Sequence, residues 1–284
     1  LYEGDDYFNI WKNEKEVAFN ETAKFKYKNI WGNFMTSAVW NRIVNDKIFV
    51  SNIISYTRYR LKHGTQFYWS NPEDTVNYKI KATSQLQNIA IQSNWKYSLL
   101  KFWNLEFGIQ SFLSINDPNQ YINQFKKSSL IAKTIYGINS AFYLENKINL
   151  FNILDANLGI RATNYYSDKY NKFAIEPRVN INFNIGKKHS INLSYLDINQ
   201  TSHLLFTAGS IMNNEVWIPA STEIEPSNSK QISLGWRGEF YNGMFDAEVN
   251  VYSKKLSQLV AYKDGYTHLF GDNDWKSKVA TDGI

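Results

Sequence analysis

The run Arg178-Val179-Asn180-Ile181-Asn182-Phe183-Asn184-Ile185, followed by Gly186-Lys187-Lys188, decides the fold class. Every second residue is apolar, which is the period of a strand whose two faces meet different surroundings. Val179, Ile181, Phe183 and Ile185 share one face, and Asn180, Asn182 and Asn184 share the other. After the glycine turn the pattern resumes, with Ile191, Leu193 and Tyr195 set against Asn192 and Ser194. This stretch is an antiparallel hairpin.

Working outward, the same period recurs. Ile232, Leu234 and Trp236 alternate with Ser233, Gly235 and Arg237, and Phe245, Ala247, Val249 and Val251 with Asp246, Glu248 and Asn250. Upstream, Ala156, Leu158, Ile160 and Ala162 oppose Asn157, Gly159, Arg161 and Thr163, while Ile89, Ile91 and Trp95 oppose Asn88, Gln92 and Asn94. Further strands are expected near 33–43, 48–62, 103–114 and 134–145. The total is roughly ten strands, most of them reaching the 9–11 residues that crossing a membrane requires.

The connections alternate as well. Short links are expected at Asn45 to Lys47, Leu99 to Lys101, Asn146 to Asn149, Gly186 to Lys188 and Tyr241 to Gly243. Longer polar stretches fall near 63–75, 115–132, 166–174, 198–229 and 263–274. Tight turns at one end and long loops at the other are the habit of outer-membrane barrels. By this reading the apolar series Val179, Ile181, Phe183 faces lipid and the asparagines face the lumen. The loop containing Ser210 faces the cell exterior and Lys187 the periplasm.

Composition narrows the class. No apolar run approaches the roughly 20 residues of a spanning helix, and the mean hydropathy is −0.44. Cysteine is absent, which excludes disulfides, thiolate metal sites and cysteine nucleophiles. A net charge of +5 is spread thinly over 284 residues, with no basic stripe for nucleic acid. Aromatic residues reach 16%, a level that suits either the girdles of a membrane barrel or platforms for flat ligands. Trp95, Tyr97, Phe102 and Trp103 surround a short turn and fit a girdle; Phe67-Tyr68-Trp69 and Tyr165-Tyr166 lie near long loops, where both roles compete.

Several segments resemble the barrel of TonB-dependent receptors of the Bacteroidetes type. They are Trp31-Gly32-Asn33, Trp40-Asn41-Arg42, Ser55-Tyr56-Thr57-Arg58-Tyr59, Ile175-Glu176-Pro177-Arg178 and Val216-Trp217-Ile218-Pro219-Ala220-Ser221. Glu225-Pro226-Ser227, Gln231-Ile232-Ser233-Leu234-Gly235, Glu248-Val249-Asn250-Val251-Tyr252 and Trp275-Lys276-Ser277-Lys278-Val279-Ala280 follow in the family's order. The resemblance implies an all-β fold, a large antiparallel transmembrane β-barrel in the outer membrane of a bacterium. About 26 residues per strand would make a 22-stranded barrel about 570 residues long, so this chain, read as one domain over 1–284, is about half of it. The plug and TonB-recruiting segment that the resemblance implies are expected outside this chain, and Asp282-Gly283-Ile284 lacks the aromatic end of a last strand.

The implied function is energy-coupled uptake of a scarce nutrient, with lipid, TonB and that nutrient as partners, no nucleic acid, and no cofactor. No catalytic constellation is found. His63, His189, His203 and His268 form no zinc spacing, and Asp272-Asn273-Asp274 offers too few ligands for a calcium loop. Candidate ligand contacts in the outer loops are His203, Trp217, Tyr165 and Trp69, with Trp217 also suited to anchoring its loop to the rim. Two alternatives stay open: another outer-membrane pore or assembly barrel, and a soluble all-β glycan-binding module.

Overall fold

The computed structural model describes residues 2–16, 22–124, 128–205, 215–266 and 275–281. It contains β1 (Tyr2–Glu16), β2 (Thr22–Asn45), β3 (Ile48–Ser70), β4 (Thr75–Leu100), β5 (Trp103–Asn123), the short β6 (Ser128–Ile131), β7 (Ile135–Leu150), β8 (Leu154–Ser167), β9 (Tyr170–Ile185) and β10 (His189–Gln200). Then come a small hairpin, β11 (Ser202–Leu205) and β12 (Val216–Pro219), the long β13 (Ser227–Phe240) and β14 (Phe245–Ser257), and a last pair, β15 (Val260–Tyr262) and β16 (Val279–Thr281). Eleven strands form one antiparallel path, β1-β2-β3-β4-β5-β7-β8-β9-β10-β13-β14, with β6 paired to β5. Along this path sequence neighbours are spatial neighbours, with β6 a side branch on β5 and with β11–β12 and β15–β16 paired separately from the wall. Among the described residues the sheet does not close on itself, so β1 and β14 are its edges.

Register carries the alternation across strands. Ala156 pairs Ile181, Ile181 pairs Leu193, Leu193 pairs Leu234 and Leu234 pairs Val251, an unbroken apolar row over five strands. The next row, Leu158, Val179, Tyr195 and Ile232, lies on the same face. Much of this face is open, with Leu234 at 55% and Val251 at 66% exposure, far too much apolar surface for water and appropriate for lipid. Near the tight turns Trp95 stacks on Phe107 at 6.1 Å and His189 on Trp236 at 5.9 Å. Trp95 is one of the residues that the sequence reading assigns to a girdle, and Phe107, His189 and Trp236 add rings at the same end.

The opposite face is hydrogen-bonded from strand to strand. Lys147 meets Glu106 at 2.6 Å, Tyr143 donates to Asn94 at 2.8 Å, and Arg161 donates to Gln110 at 2.6 Å. Asn192 donates to Asn180 and Ser194 bonds Ser233 across strands, while Asn182 donates to Asn184 along β9. A row of asparagines and serines bonded in this way belongs on a wet lumen wall.

Turn chemistry sets the near end. Asn45 Oδ1 accepts from the amides of Lys47 and Ile48, and Gly186 takes φ 66°, open to a residue without a Cβ. One turn lies later than the sequence reading has it. β7 continues through Asn146–Asn149, and the reversal occurs at Phe151 and Asn152, with φ of 53° and 58° and an Ile153 N–H to Leu150 carbonyl bond of 2.8 Å. Two successive positive φ values make the turn whose twist matches a hairpin, and Ile148 keeps the outward row running past the polar residues.

The far end differs more. Three of the expected long loops are mostly strand: β3 and β4 stay paired out to Ser70 and Thr75, β5 runs to Asn123, and Ser167 pairs Tyr170 across a two-residue turn. Beyond the membrane both faces of a hairpin are wet, so the ladder continues while the alternation that betrays it fades. β1 and residues 22–32 of β2 are also strands that the sequence reading does not assign; Lys24-Phe25-Lys26-Tyr27-Lys28 carries the usable signal, whereas Tyr2–Glu16 carries none.

Val179 is about seven residues from its turn, near mid-membrane, with Asn180 beside it on the other face. Val179→Arg is expected to cost about 2–4 kcal/mol in unfolding from lipid vesicles, and Asn180→Arg little. Equal losses would reverse the assignment of faces.

Candidate functional site

The connection between β10 and β13 folds back against the wall. Its hairpin pairs Ser202 with Pro219, His203 with Ile218, Leu204 with Trp217 and Leu205 with Val216. Leu205, Val216 and Ile218 are fully buried, and they pack with Leu61 of β3, Ala82 of β4, Ile224, Trp275 and Val279. Leu61 and Ala82 stand on the strand face that carries the polar network lower down, so this core lies on the lumen side of the far end. Apolar burial here, at roughly 25 cal/mol per Å², is what holds the loop inward.

Polar contacts tie it to the wall at several points. Tyr59 OH donates to the Glu215 carbonyl at 2.8 Å, Tyr165 OH to the Ala220 carbonyl at 3.3 Å, and Lys172 meets Glu225 at 3.4 Å. Lys276 meets Glu223 at 3.0 Å, and this hydrogen bond is the main reason the Glu223 carboxyl is lowered to about 2. Tyr165 itself lies over Gly137, where a Cβ would come within 2.8 Å of its hydroxyl. A side chain at 137 would push the ring off the wall.

The candidate ligand contacts separate into two groups. His203, Trp217 and Tyr165 converge on this inward loop: His203 and Tyr165 are buried, and Trp217 is half-buried on the hairpin face opposite Val216 and Ile218. Trp69 stands apart, eight residues beyond Leu61 on β3, roughly 26 Å further along the strand. His268, Asp272-Asn273-Asp274 and Ser210 lie outside the described residues.

His203 has the most informative surroundings. The Ser227 hydroxyl donates its one hydrogen to the Gln258 carbonyl at 2.7 Å, so the 3.0 Å contact between Ser227 Oγ and His203 Nδ1 requires Nδ1 to carry the proton. Nε2 is then a bare acceptor, buried, with no hydrogen-bond partner among the described residues. Leaving such an atom unpaired costs on the order of 1–3 kcal/mol. Burial lowers the imidazole to about 4, partly offset by the Glu225 carbonyl.

Two cavities flank the loop. One, about 410 Å³, is bordered by His203, Ser227, Ile198, Leu256, Leu259 and Lys254. The other, about 250 Å³, is bordered by Tyr165, Asn139, Arg161, Glu176 and Arg178. In it Glu176 is buried between the two guanidinium groups, 3.7 Å from Arg161 and 3.8 Å from Arg178. The sequence reading names none of this trio as site residues, although Ile175-Glu176-Pro177-Arg178 carries part of the family resemblance and Arg161 is the one charged residue on the polar face of its alternating strand, 156–163.

An apolar lipid-facing exterior, a hydrogen-bonded polar interior and one end drawn into long hairpins around an inward-folded loop define the wall of an outer-membrane β-barrel. The family model described as TonB dependent receptor-like, beta-barrel, matches residues 3–277, and the chain belongs to that family. The ferric-pyoverdine 358 receptor of Pseudomonas putida is 25% identical over 42% of this chain and 15% of its own length. Among solved structures, the RagAB peptide transporter matches 86% of this chain and 31% of its own at 11% identity, with a TM-score of 0.53. The ferric-catecholate import receptor Fiu of E. coli K12 matches 87% and 43% at 9% identity, with a TM-score of 0.50. The chain therefore spans less than half the length of these relatives, and the two structures share its fold.

A histidine lowered from 6.5 to about 4 by burial leaves stability untouched above pH 6.5. Below that the unfolded loop binds the proton more readily, and the loss grows until about pH 4, to on the order of 3 kcal/mol. Amide hydrogen exchange of β11 and β12, corrected for intrinsic rates, is expected to rise over this window, while His203→Gln flattens the dependence. An unchanged profile in the wild type would contradict the buried neutral imidazole.

Proposed function

We propose that this chain is part of the wall and outer loops of a receptor that imports a scarce nutrient across the bacterial outer membrane. It contributes no chemistry of its own and is not an enzyme. Residues 1–284 form part of one barrel domain, completed by further strands, and the plug and the segment that recruits TonB lie elsewhere in the polypeptide. TonB, energised from the inner membrane, would displace the plug once a ligand is held at the far end. The observation that carries this reading, beyond family membership, is the apolar core formed by the β11–β12 hairpin and Ile224 against Leu61 and Ala82, which lines the lumen side of the far end. His203, Trp217 and Tyr165 are the proposed ligand contacts there, with Trp69 as a first contact further out.

The relatives differ in cargo by name, ferric siderophores for two and peptide for the third. Cargo is accordingly assigned to the loops and their cavities, where the sequences are free to diverge on a common wall.

The reading requires the long hairpins to face outward. An epitope inserted in the Asp168-Lys169 turn is expected to be reached by antibody on intact cells, and one at Lys187 only after the outer membrane is breached. Reversed labelling would overturn the importer assignment. A chain that folded as a soluble monomer without detergent would favour a glycan-binding module instead.

A further inference from the structure

Successive residues of β3 and β4 face opposite ways, and the contrast is plain in their outer halves. Leu61 and Ala82 are buried in the lumen-side core, whereas their neighbours Lys62 and Lys81 are exposed on the outward face. The register sets Lys28, Gly64 and Lys81 in one row on that outward face. Lys26, Gln66 and Lys79 form the next row towards the tip, and Ile30, Lys62 and Thr83 the row below. Five lysines therefore border Gly64. Neighbouring strands lie about 4.8 Å apart, so Lys28 and Lys81 stand roughly 10 Å from each other across a residue without a side chain. A Cβ at Gly64 would meet nothing nearer than 3.9 Å, so the floor between them is open. Lys26, Lys62, Lys79 and Lys81 form no salt bridge among the described residues. The flanking register positions are Tyr7 and Asn9 on β1 and Gln120 and Ile122 on β5, none of them acidic.

The height of this ring points to its partner. On the same strands and the same face, Ile54, Ile89 and Ile91 are 53%, 39% and 60% exposed and belong to the lipid belt. About ten strand residues from Ile48 cross the hydrocarbon, so Arg58 is the first beyond it on this face. Gly64 lies about 20 Å further along the strand, or about 14 Å higher at a 45° tilt. The headgroup layer of a phospholipid is only about 5–8 Å deep, which leaves the ring above it. We propose that the lysines around Gly64 bind a phosphate on the extended sugar headgroup of an outer-leaflet glycolipid. Ammonium groups from three strands meet that phosphate, while the acyl chains of the same molecule pack on Ile54, Ile89 and Ile91. Clustered lysines beside a lipid face attract anionic headgroups, and a neutral sugar would give them no counter-charge. The site lies on the outside of the wall, away from the lumen, and holds a membrane lipid, not cargo. It rests on the reading that the far end faces the medium, because that end must stand in the outer leaflet.

The experiment uses the full receptor containing this chain, stripped of bound lipid by detergent exchange and tethered for surface plasmon resonance. The probes are rough-type lipopolysaccharide, whose inner sugars carry phosphate, and the same material after chemical dephosphorylation. Saturable binding is expected, about ten-fold weaker without phosphate. Lys62→Gln combined with Lys81→Gln, both at exposed strand positions, should weaken the phosphorylated form by about 25-fold, near five-fold for each lysine. Gly64→Glu, which has room for its Cβ, should set a carboxylate inside the ring and abolish the preference for phosphate. Lys187→Gln combined with Lys188→Gln, at the opposite end, should change nothing, which separates the ring from net charge. Short-chain phosphatidylglycerol, an anion with a shallow headgroup, should bind the wild type and the Lys62/Lys81 double variant alike. Equal affinity for the two lipopolysaccharide forms, or an unchanged affinity in the double variant, would overturn the site. A matching loss with phosphatidylglycerol would overturn the assignment to a glycolipid. Surface labelling at Asp168-Lys169 reports separately on the importer reading, so correct labelling without phosphate dependence removes the lipid site alone.

Discussion

A backbone crossing hydrocarbon has no water to bond, so each N–H and C=O of a spanning strand must find its partner on a neighbouring strand. The continuous antiparallel path from β1 to β14 answers that demand, and the rest of the molecule follows from it. A ladder fixes which side chains share a face. Once the faces are fixed, lipid selects Ile181, Leu193 and Leu234 for one, and water selects Asn180, Asn192 and Ser233 for the other. The demand also explains why irregular backbone is confined to the tight turns and to the far end, where polar groups can be hydrated.

The lumen wall shows how charge is tolerated in such a setting. Glu106 sits between Lys147 and Lys96, and Glu176 between Arg161 and Arg178, so neither carboxylate is left alone in a half-buried environment. Tyr143 bridges to Asn94 two strands away, skipping across β5. These contacts span strands that the backbone ladder joins only pairwise, so the interior polar face braces the wall laterally.

The membrane belt was legible in the sequence because alternation is enforced there by two unlike solvents, as in 178–195 and 232–251. Legibility ended where the solvents became alike. At the far ends of β3, β4 and β5 both faces meet water, and paired strand looks like polar loop. The core of the inward loop was hidden for a different reason: Leu205, Val216 and Ile218 are short apolar fragments whose partners, Leu61 and Ala82, are more than a hundred residues away. No local period records such a meeting. The site was half legible. His203, Tyr165 and Trp217 stood out by residue type and loop position, whereas Ser227 and Gln258, which fix the proton on His203 Nδ1, are unremarkable until the fold assembles them.

The β3–β4 hairpin pairs from Ile48 with Tyr97 out to Ser70 with Thr75 without a register shift. At about 3.3 Å per residue, with about ten residues in the membrane, the remainder carries its tip roughly 40 Å clear of the bilayer. The Debye length in physiological salt is only about 8 Å. Glu73 and Asp74 in that tip are therefore electrostatically uncoupled from the lipid headgroups below. Their field acts on ions and solutes of the medium alone, unaffected by the charge of the membrane that anchors them.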